Sequence, residues 1–514
     1  MLSNERKKFP LPFFMEALTI VINMDKQTVA ESTGVNDATL SGGDKNPAKP
    51  PLKLNYKRTF LIGFAFFGIL LLWSIYNTYC SKFLTISFAQ MEFGKTSSEL
   101  TNSEKLDVQY LVGIVMALDN VAALFLMPIF GRLSDKTHSK RWGHRMPYIM
   151  IGTIISAIAF PFIPVFYYYN NIAGMIAMMV IVLIFMMAYR SPAVALMPDM
   201  TPKPLRSRAN GIINIVGYIG GGVAALLGIF LPFSKYLKEG SFYIIFVPFL
   251  VASIVMVIAA FVLFFTINEN KVSKEVADDM RRGEEEAEVI DKVEDDKPMS
   301  NANKRTLILI LAAEVLWFMS FNAIETFFGN YTLWYLDASD SSSTIATTIS
   351  GACGAIMFLF AGRIADKIGR KWTIFIGLCV VTLSYFGFCF VTPTGVASAT
   401  SGYNTFPWVL YLIFAFVGFG SAMIHNCSFP MVVELCTGKN IGKFTGYYYA
   451  ASMIAQSITP IVIGFIFRAT GWQALPIYSC CLMAAAGIVF AFVKNAKSVK
   501  VKNKKGLEAL GDDD

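Results

Sequence analysis

Gly131-Arg132-Leu133-Ser134-Asp135-Lys136, followed by Arg141-Trp142-Gly143-His144-Arg145, occupies a short basic gap between two long apolar runs. Gly362-Arg363-Ile364-Ala365-Asp366-Lys367-Ile368-Gly369-Arg370-Lys371 occupies a matching gap half a chain later. A loop that recurs in the same setting implies two corresponding halves. Outward from each copy, apolar runs reach the roughly 20 residues that a helix needs to cross a bilayer. Twelve spans are predicted, near 58–80, 109–131, 147–168, 172–195, 209–233 and 242–267, then near 305–330, 343–362, 372–392, 407–430, 443–467 and 474–494. Helices are required because each backbone group in lipid must be satisfied within its own segment.

Composition agrees. The chain has 514 residues, 55% of them hydrophobic and only 16% charged, too little charge for the surface of a soluble protein of this size. The net charge of +8 is not a nucleic-acid signal, because the bases gather in the gaps between apolar runs. The eight Cys form no C-x-x-C pair and no zinc pattern, so they read as small core residues. No metal pattern, nucleophile motif or phosphate loop suggests an enzyme, and no cofactor is expected.

Lys and Arg set the orientation. They crowd the gaps after spans 2, 4 and 8 and the C-terminal tail, so both termini are expected in the cytoplasm of a cell whose plasma membrane the chain crosses. Lys82, Lys95, Lys105, Lys235 and Lys238 fall on the opposite side. Residues 1–57 read as an N-terminal tail, 58–267 and 305–494 as six-helix bundles, and 495–514 as a C-terminal tail. Leu11–Met24 imitates a signal peptide but is interrupted by Glu16, and a start at Met24 is an alternative reading. Residues 268–304 read as a charged, solvated linker with room for a short surface helix.

The halves echo each other further. Pro198-Asp199 through Gly211 aligns with Val433-Glu434 through Gly446, which pairs Asp199 with Glu434 and Arg190 with His425. Tyr76-Asn77 aligns with Phe321-Asn322. Parallel halves related by an axis along the membrane normal are a carrier architecture.

Ionisable residues inside spans are expensive and mark function. Asp119 lies mid-span with no base beside it, and a carboxyl that can discharge by taking a proton is what proton coupling needs. Glu314 and Glu325 stand three helical turns apart in span 7, so both point the same way. With Phe321 and Asn322 they make a stripe suited to a polyol: a ring for the C–H face, amide and carboxylate for hydroxyls. Trp73, Tyr76, Asn77 and Cys80 share one face of span 1. Arg190, with Asp119 as candidate partner, and His425-Asn426 occupy spans 4 and 10. Substrate contact is expected from Tyr76, Asn77, Asn120, Arg190, Phe321, Asn322, Glu325, His425 and Asn426, and proton binding from Asp119 and Glu325. Gly131 and Gly362 would let helices approach closely. Asp135 and Asp366 would accept from a helix N-terminus and pair with loop Arg. Arg145, Asp199, Arg370 and Glu434 complete the expected gate.

The doubled loop resembles the signature of the major facilitator superfamily. That resemblance implies an all-α membrane protein of twelve helices in two pseudo-symmetric six-helix bundles. Three phrases narrow it: Leu126-Met127-Pro128-Ile129-Phe130-Gly131, Gly143-His144-Arg145-Met146-Pro147-Tyr148-Ile149, and Arg190-Ser191-Pro192 through Met197-Pro198-Asp199. They are similar to sucrose:proton symporters and the wider glycoside-pentoside-hexuronide:cation symporter family. The resemblance implies import of a sugar with a proton or sodium ion, by a carrier expected to be monomeric. Three positions depart from it. Val194 stands where plant-type sucrose carriers place an Arg, and Ala123 and Met127 stand where melibiose-type members carry carboxylates, which favours protons over sodium. Export of a drug or metabolite by antiport, and a non-transporting sensor, are the competing readings.

Overall fold

The computed structural model describes residues 52–292, 301–397, 402–435 and 441–493. Residues 1–51 of the expected N-terminal tail, with the alternative start, and the whole expected C-terminal tail lie outside them, as do the side chains of Asp366 and Glu434. Among the described residues, twelve helices fill the predicted spans, with no strand-based sheet: α1 (Tyr56–Phe93), α2 (Gln109–Lys136), α3 (Met146–Tyr168), α4 (Ile172–Asp199), α5 (Arg206–Phe230), α6 (Tyr243–Thr266), α7 (Asn301–Trp334), α8 (Asp340–Ile368), α9 (Arg370–Phe388), α10 (Val409–Glu434), α11 (Ile441–Thr470) and α12 (Ala474–Ala491). Eleven are apolar enough to cross a bilayer by composition. The twelfth, α8, opens with Asp340-Ser341-Ser342-Ser343-Thr344 and is the most polar of the set. Its polarity is explained by where it lies, against a cavity.

Local sequence sets the helix ends. Asn55 caps α1 by accepting from the Arg58 N–H at 3.0 Å, and Gly94 ends it in the left-handed conformation that glycine adopts without strain. Asn171 caps α4 in the same way at 2.8 Å. Pro161 interrupts α3, which bends where a backbone donor is missing.

Packing repeats with an offset of six. α1 packs on α5 and α6, α2 on α4, and α3 on α4 and α6; α7 packs on α11 and α12, α8 on α10, and α9 on α10 and α12. Three seams join the two sets: α2 with α11, α5 with α8, and α1 with α7. The α2–α11 seam is the tightest. A Cβ on Gly113 would collide with the Pro460 carbonyl, and one on Gly464 would sit 2.7 Å from the Gln109 carbonyl oxygen and the Tyr110 Cα. Of Gly131 and Gly362, expected to permit such approach, Gly131 sits close to α4, where a Cβ would come within 3.1 Å of the Ser191 hydroxyl, while Gly362 has open space around it out to Asn426 at 4.0 Å.

Residues 269–292 form a helix that is more than a solvated linker. Glu269, Val272 and Val276 are buried, and Gly283 rests on Pro202 and Pro204. Large apolar side chains such as Phe125, Phe230, Phe265, Leu383 and Phe390 are exposed around the bundle, as a lipid-facing surface requires.

Candidate functional site: a cavity between the two helix sets

The helix directions define two faces. The doubled loops lie on one, here the loop face; the C-terminal ends of α1, α5 and α7 lie on the other, the far face.

A cavity of about 520 Å³ lies between α1, α5, α7 and α8, from mid-helix towards the far face. α1 lines it with Trp73, Ser74, Asn77, Thr78, Ser81 and Lys82; α5 with Tyr218, Gly221 and Gly222; α7 with Glu325, Thr326 and Phe328; and α8 with Ser343, Thr344, Thr347 and Thr348. The hydroxyl-rich start of α8 thus becomes wall. The Asn77 amide donates to Glu325 Oε1 at 3.2 Å and joins the two helix sets at this wall. Glu325 is solvent-exposed and presents its carboxylate to the cavity.

Asp119, on α2, is 4% exposed and accepts from the Asn120 side-chain amide at 2.7 Å and from the Asn120 backbone N–H. Arg190, on α4, holds its guanidinium 5.9 Å from the Trp73 ring centre. Asp119, Arg190 and Glu325 lie within electrostatic reach of one another. The expected Asp119–Arg190 ion pair does not form: among the described residues no contact within 4.0 Å joins them, because Asp119 turns to Asn120 and Arg190 to Trp73.

Several expected contacts lie elsewhere. Tyr76 and Cys80 are fully buried behind the wall, since the lining face of α1 is set by Trp73, Asn77 and Ser81. Tyr76 stacks on Trp73 at 6.0 Å and 17°. Asn322 is buried, with its carbonyl unpartnered, so it does not repeat the role of its counterpart Asn77. His425 sits between Phe318 and Phe321, at 5.3 and 5.5 Å, on the α7–α10 side with Asn426. None of Tyr76, Asn120, Arg190, Phe321, Asn322, His425 and Asn426 belongs to this cavity's wall.

At the far-face end of the cavity, where Ser81 and Lys82 still line the wall, is a cluster that sequence reasoning missed. Lys82 Nζ pairs with Asp340 Oδ2 at 3.0 Å, with both side chains buried. Asp340 also accepts from the backbone N–H groups of Phe233 and Ser234 at 3.1 and 3.0 Å. Asn330 bonds Ser81, Thr85 and Gln109 at 3.2 Å each, and Tyr403 donates to the Ser234 carbonyl at 3.0 Å. The signal was Lys82 itself, which lies inside a 38-residue helix rather than beyond the end of a span.

On the loop face Arg145 binds Asp135 at 2.5 Å, Asp199 at 2.8 Å and the Ser134 hydroxyl at 2.6 Å. Burial alone would lower this guanidinium's pKa, but Asp199 and Asp135 outweigh it and hold it above the ordinary value. The carboxylate that accepts from a helix N-terminus is Glu269, not Asp135: it takes the N–H groups of His144, Arg145 and Met146 at 2.8 to 3.2 Å. In the second copy Asp366 and Glu434 fall outside the described side chains, and no geometry is assigned to Gly362 and Arg370 as a gate.

The family model described as Major Facilitator Superfamily matches residues 59–394 and 310–511. A curated relative, the putative transporter AmpG 1 of Rickettsia conorii, is 23% identical over 429 residues, covering 80% of this chain and 96% of that protein. A solved peptide transporter in complex with sulfate superposes with a TM-score of 0.60 at 14% identity, covering 87% of this chain and 96% of its own. The xylose transporter XylE from E. coli, in a partially occluded inward open conformation, gives 0.59 at 12% identity, covering 85% and 97%. At these identities the structural likeness is one of fold.

Proposed function

The chain belongs to the Major Facilitator Superfamily, and on that premise we propose that it is a secondary active carrier importing a sugar, a disaccharide or other glycoside, together with a proton. The observation that carries this reading is the Asn77–Glu325 hydrogen bond, which spans the two helix sets at the wall of a hydroxyl-lined cavity. Groups that bind each other across the interface can exchange that bond for a ligand. Sugar binding then feeds directly into the packing of one half against the other.

Each residue receives a role. Asn77, Glu325 and the Ser/Thr side chains of α8 bind sugar hydroxyls, and Trp73, Tyr218 and Phe328 offer ring faces to its C–H groups. Asp119 binds the coupling proton, and Glu325, within its electrostatic reach, senses that charge. Arg190 holds the region's positive charge against Trp73 and keeps two carboxylates tolerable. Tyr76 and Asn120 support Trp73 and Asp119, while Phe321, Asn322, His425 and Asn426 are candidate contacts on the α10 side. The Gly131–Asp135–Arg145–Asp199 cluster, with Gly362, Asp366, Arg370 and Glu434 in the second half, gates the cytoplasmic side. The carrier is assigned to the plasma membrane, with both termini inside by the excess of bases on the loop face. The sucrose-type phrases of the first half favour an α-glucoside.

The test is uptake into proteoliposomes under an imposed proton gradient, with labelled sucrose, maltose, melibiose and a hexose. Gradient-dependent accumulation of at least one glycoside is expected. Absence of uptake of all four under any cation gradient removes the reading.

A further inference from the structure

Glu314 is a buried acid that the cavity does not use. It lies on α7, three turns before Glu325, and is fully enclosed. Neither carboxyl oxygen has a hydrogen-bond partner. One turn on, the Trp317 indole N–H is also enclosed and unpartnered. No charged side chain among the described residues acts on the Glu314 carboxyl.

The neighbouring helices bring few titratable groups. From α11, Tyr448 and Tyr449 lie within its electrostatic reach. Tyr448 is buried and bonds the Ser428 hydroxyl of α10 at 2.8 Å. His425, also from α10, faces Phe318 and Phe321 further along α7. α12 contributes Ser479, already engaged with Ser320. An anion at Glu314 would have neither counter-charge nor donor, so in this conformation the group is the neutral acid. Even neutral, it leaves its polar atoms unsatisfied, and an apolar side chain would serve packing better. That arrangement is explicable if a different conformation satisfies it.

The structure supplies a way to reach one. Tyr447 and Tyr449 are 46% and 52% exposed, and a Cβ on Gly446 would meet open space. Pro460 lies inside α11, which continues through it as one helix. The loop-face end of α11 is thus held by Tyr448 against Ser428 and Phe429 but open to solvent at Tyr447 and Tyr449, and it is the place at which the packing over Glu314 can part.

We propose that Glu314 is a second proton-binding site, separate from the cavity. Its ligand is a proton taken from and returned to water when the α11 segment carrying Tyr448 and Tyr449 lifts away. One O–H bond forms at the carboxylate from hydronium and one breaks on release; no electrons move.

Infrared difference spectroscopy on the whole protein in lipid tests this without a transported sugar. The wild type minus E314Q difference is expected to contain the C=O stretch of one protonated carboxyl at neutral pH. That band should shift in D2O and disappear as the pH is raised. E314D should restore a displaced carboxyl band if the glutamine variant packs poorly. A difference spectrum without the band, or a band that neither exchanges in D2O nor titrates, overturns the proposal. Because no glycoside is present, these outcomes are distinguishable from a failure of sugar uptake.

Discussion

The chain carries two charge clusters within a few helical turns of each other, and they are built in opposite ways. At the far face, Lys82 and Asp340 pair directly, and Asp340 takes two further backbone donors. In mid-membrane, Asp119, Arg190 and Glu325 feel each other's charge without contact within 4.0 Å. A buried pair whose lone pairs are filled has no reason to change its state. A loose trio with two acids and one base has several states close in energy. On the proposed function, the contrast separates a fastening from a working part.

Breaking the fastening should have the largest effect. Lys82→Met leaves Asp340 buried without a counter-charge, which typically costs about 3–5 kcal/mol. Thermal unfolding of the purified variant should show a large drop in Tm, and the double variant K82M with D340L should recover most of it. Equal losses in single and double variants would mean that the pair is not a fastening.

The next effect falls on the trio. Asp119→Asn should retain sugar exchange but lose gradient-driven accumulation. A proton crossing a 100 mV potential supplies roughly 2.3 kcal/mol, so accumulation should fall by about 50-fold. Unchanged accumulation would place coupling elsewhere. Asn77→Ala removes the amide held by Glu325, and a hydrogen bond to a carboxylate contributes about 1.5–3 kcal/mol. Sugar affinity should weaken by at least about 10-fold in equilibrium binding, and Tm should fall modestly with the lost Asn77–Glu325 bond. The smallest effect returns to the far face: Tyr403→Phe deletes the hydroxyl donated to Ser234 and should cost about 1 kcal/mol in unfolding, with transport preserved. A larger loss in transport than in stability would move Tyr403 into the working part.

The fold was readable because hydropathy and a duplicated loop both survive in a linear sequence. Asp135, Arg145 and Asp199 were readable as a group because they belong to that loop and its neighbouring repeat. Lys82–Asp340 was not: the partners are 258 positions apart, and a base just past an apolar run looks like a loop residue. The wall of α8 was hidden by the same bias, since hydropathy penalises the Ser/Thr residues that line the cavity. Spacing did place Trp73 and Asn77 on one face of α1. It did not reveal that the working face is rotated towards Ser74 and Ser81 and away from Tyr76. The repeat also misled where it was taken too literally. Asn77 and Asn322 correspond in sequence, yet one spans the interface and the other is enclosed.

The bare backbone contact of Gly113 with Pro460 acts as a fulcrum. Sliding there is blocked by atoms already in contact, so pivoting is the freedom that remains. From Gly113 to the first signature loop, α2 runs nearly twenty residues, an arm of about 28 Å at about 1.5 Å per residue. A tilt of about 10° at such a pivot displaces the far tip of the arm by roughly 5 Å. One methyl group at the hinge point, in Gly113→Ala, would therefore be felt most strongly on the opposite side of the membrane.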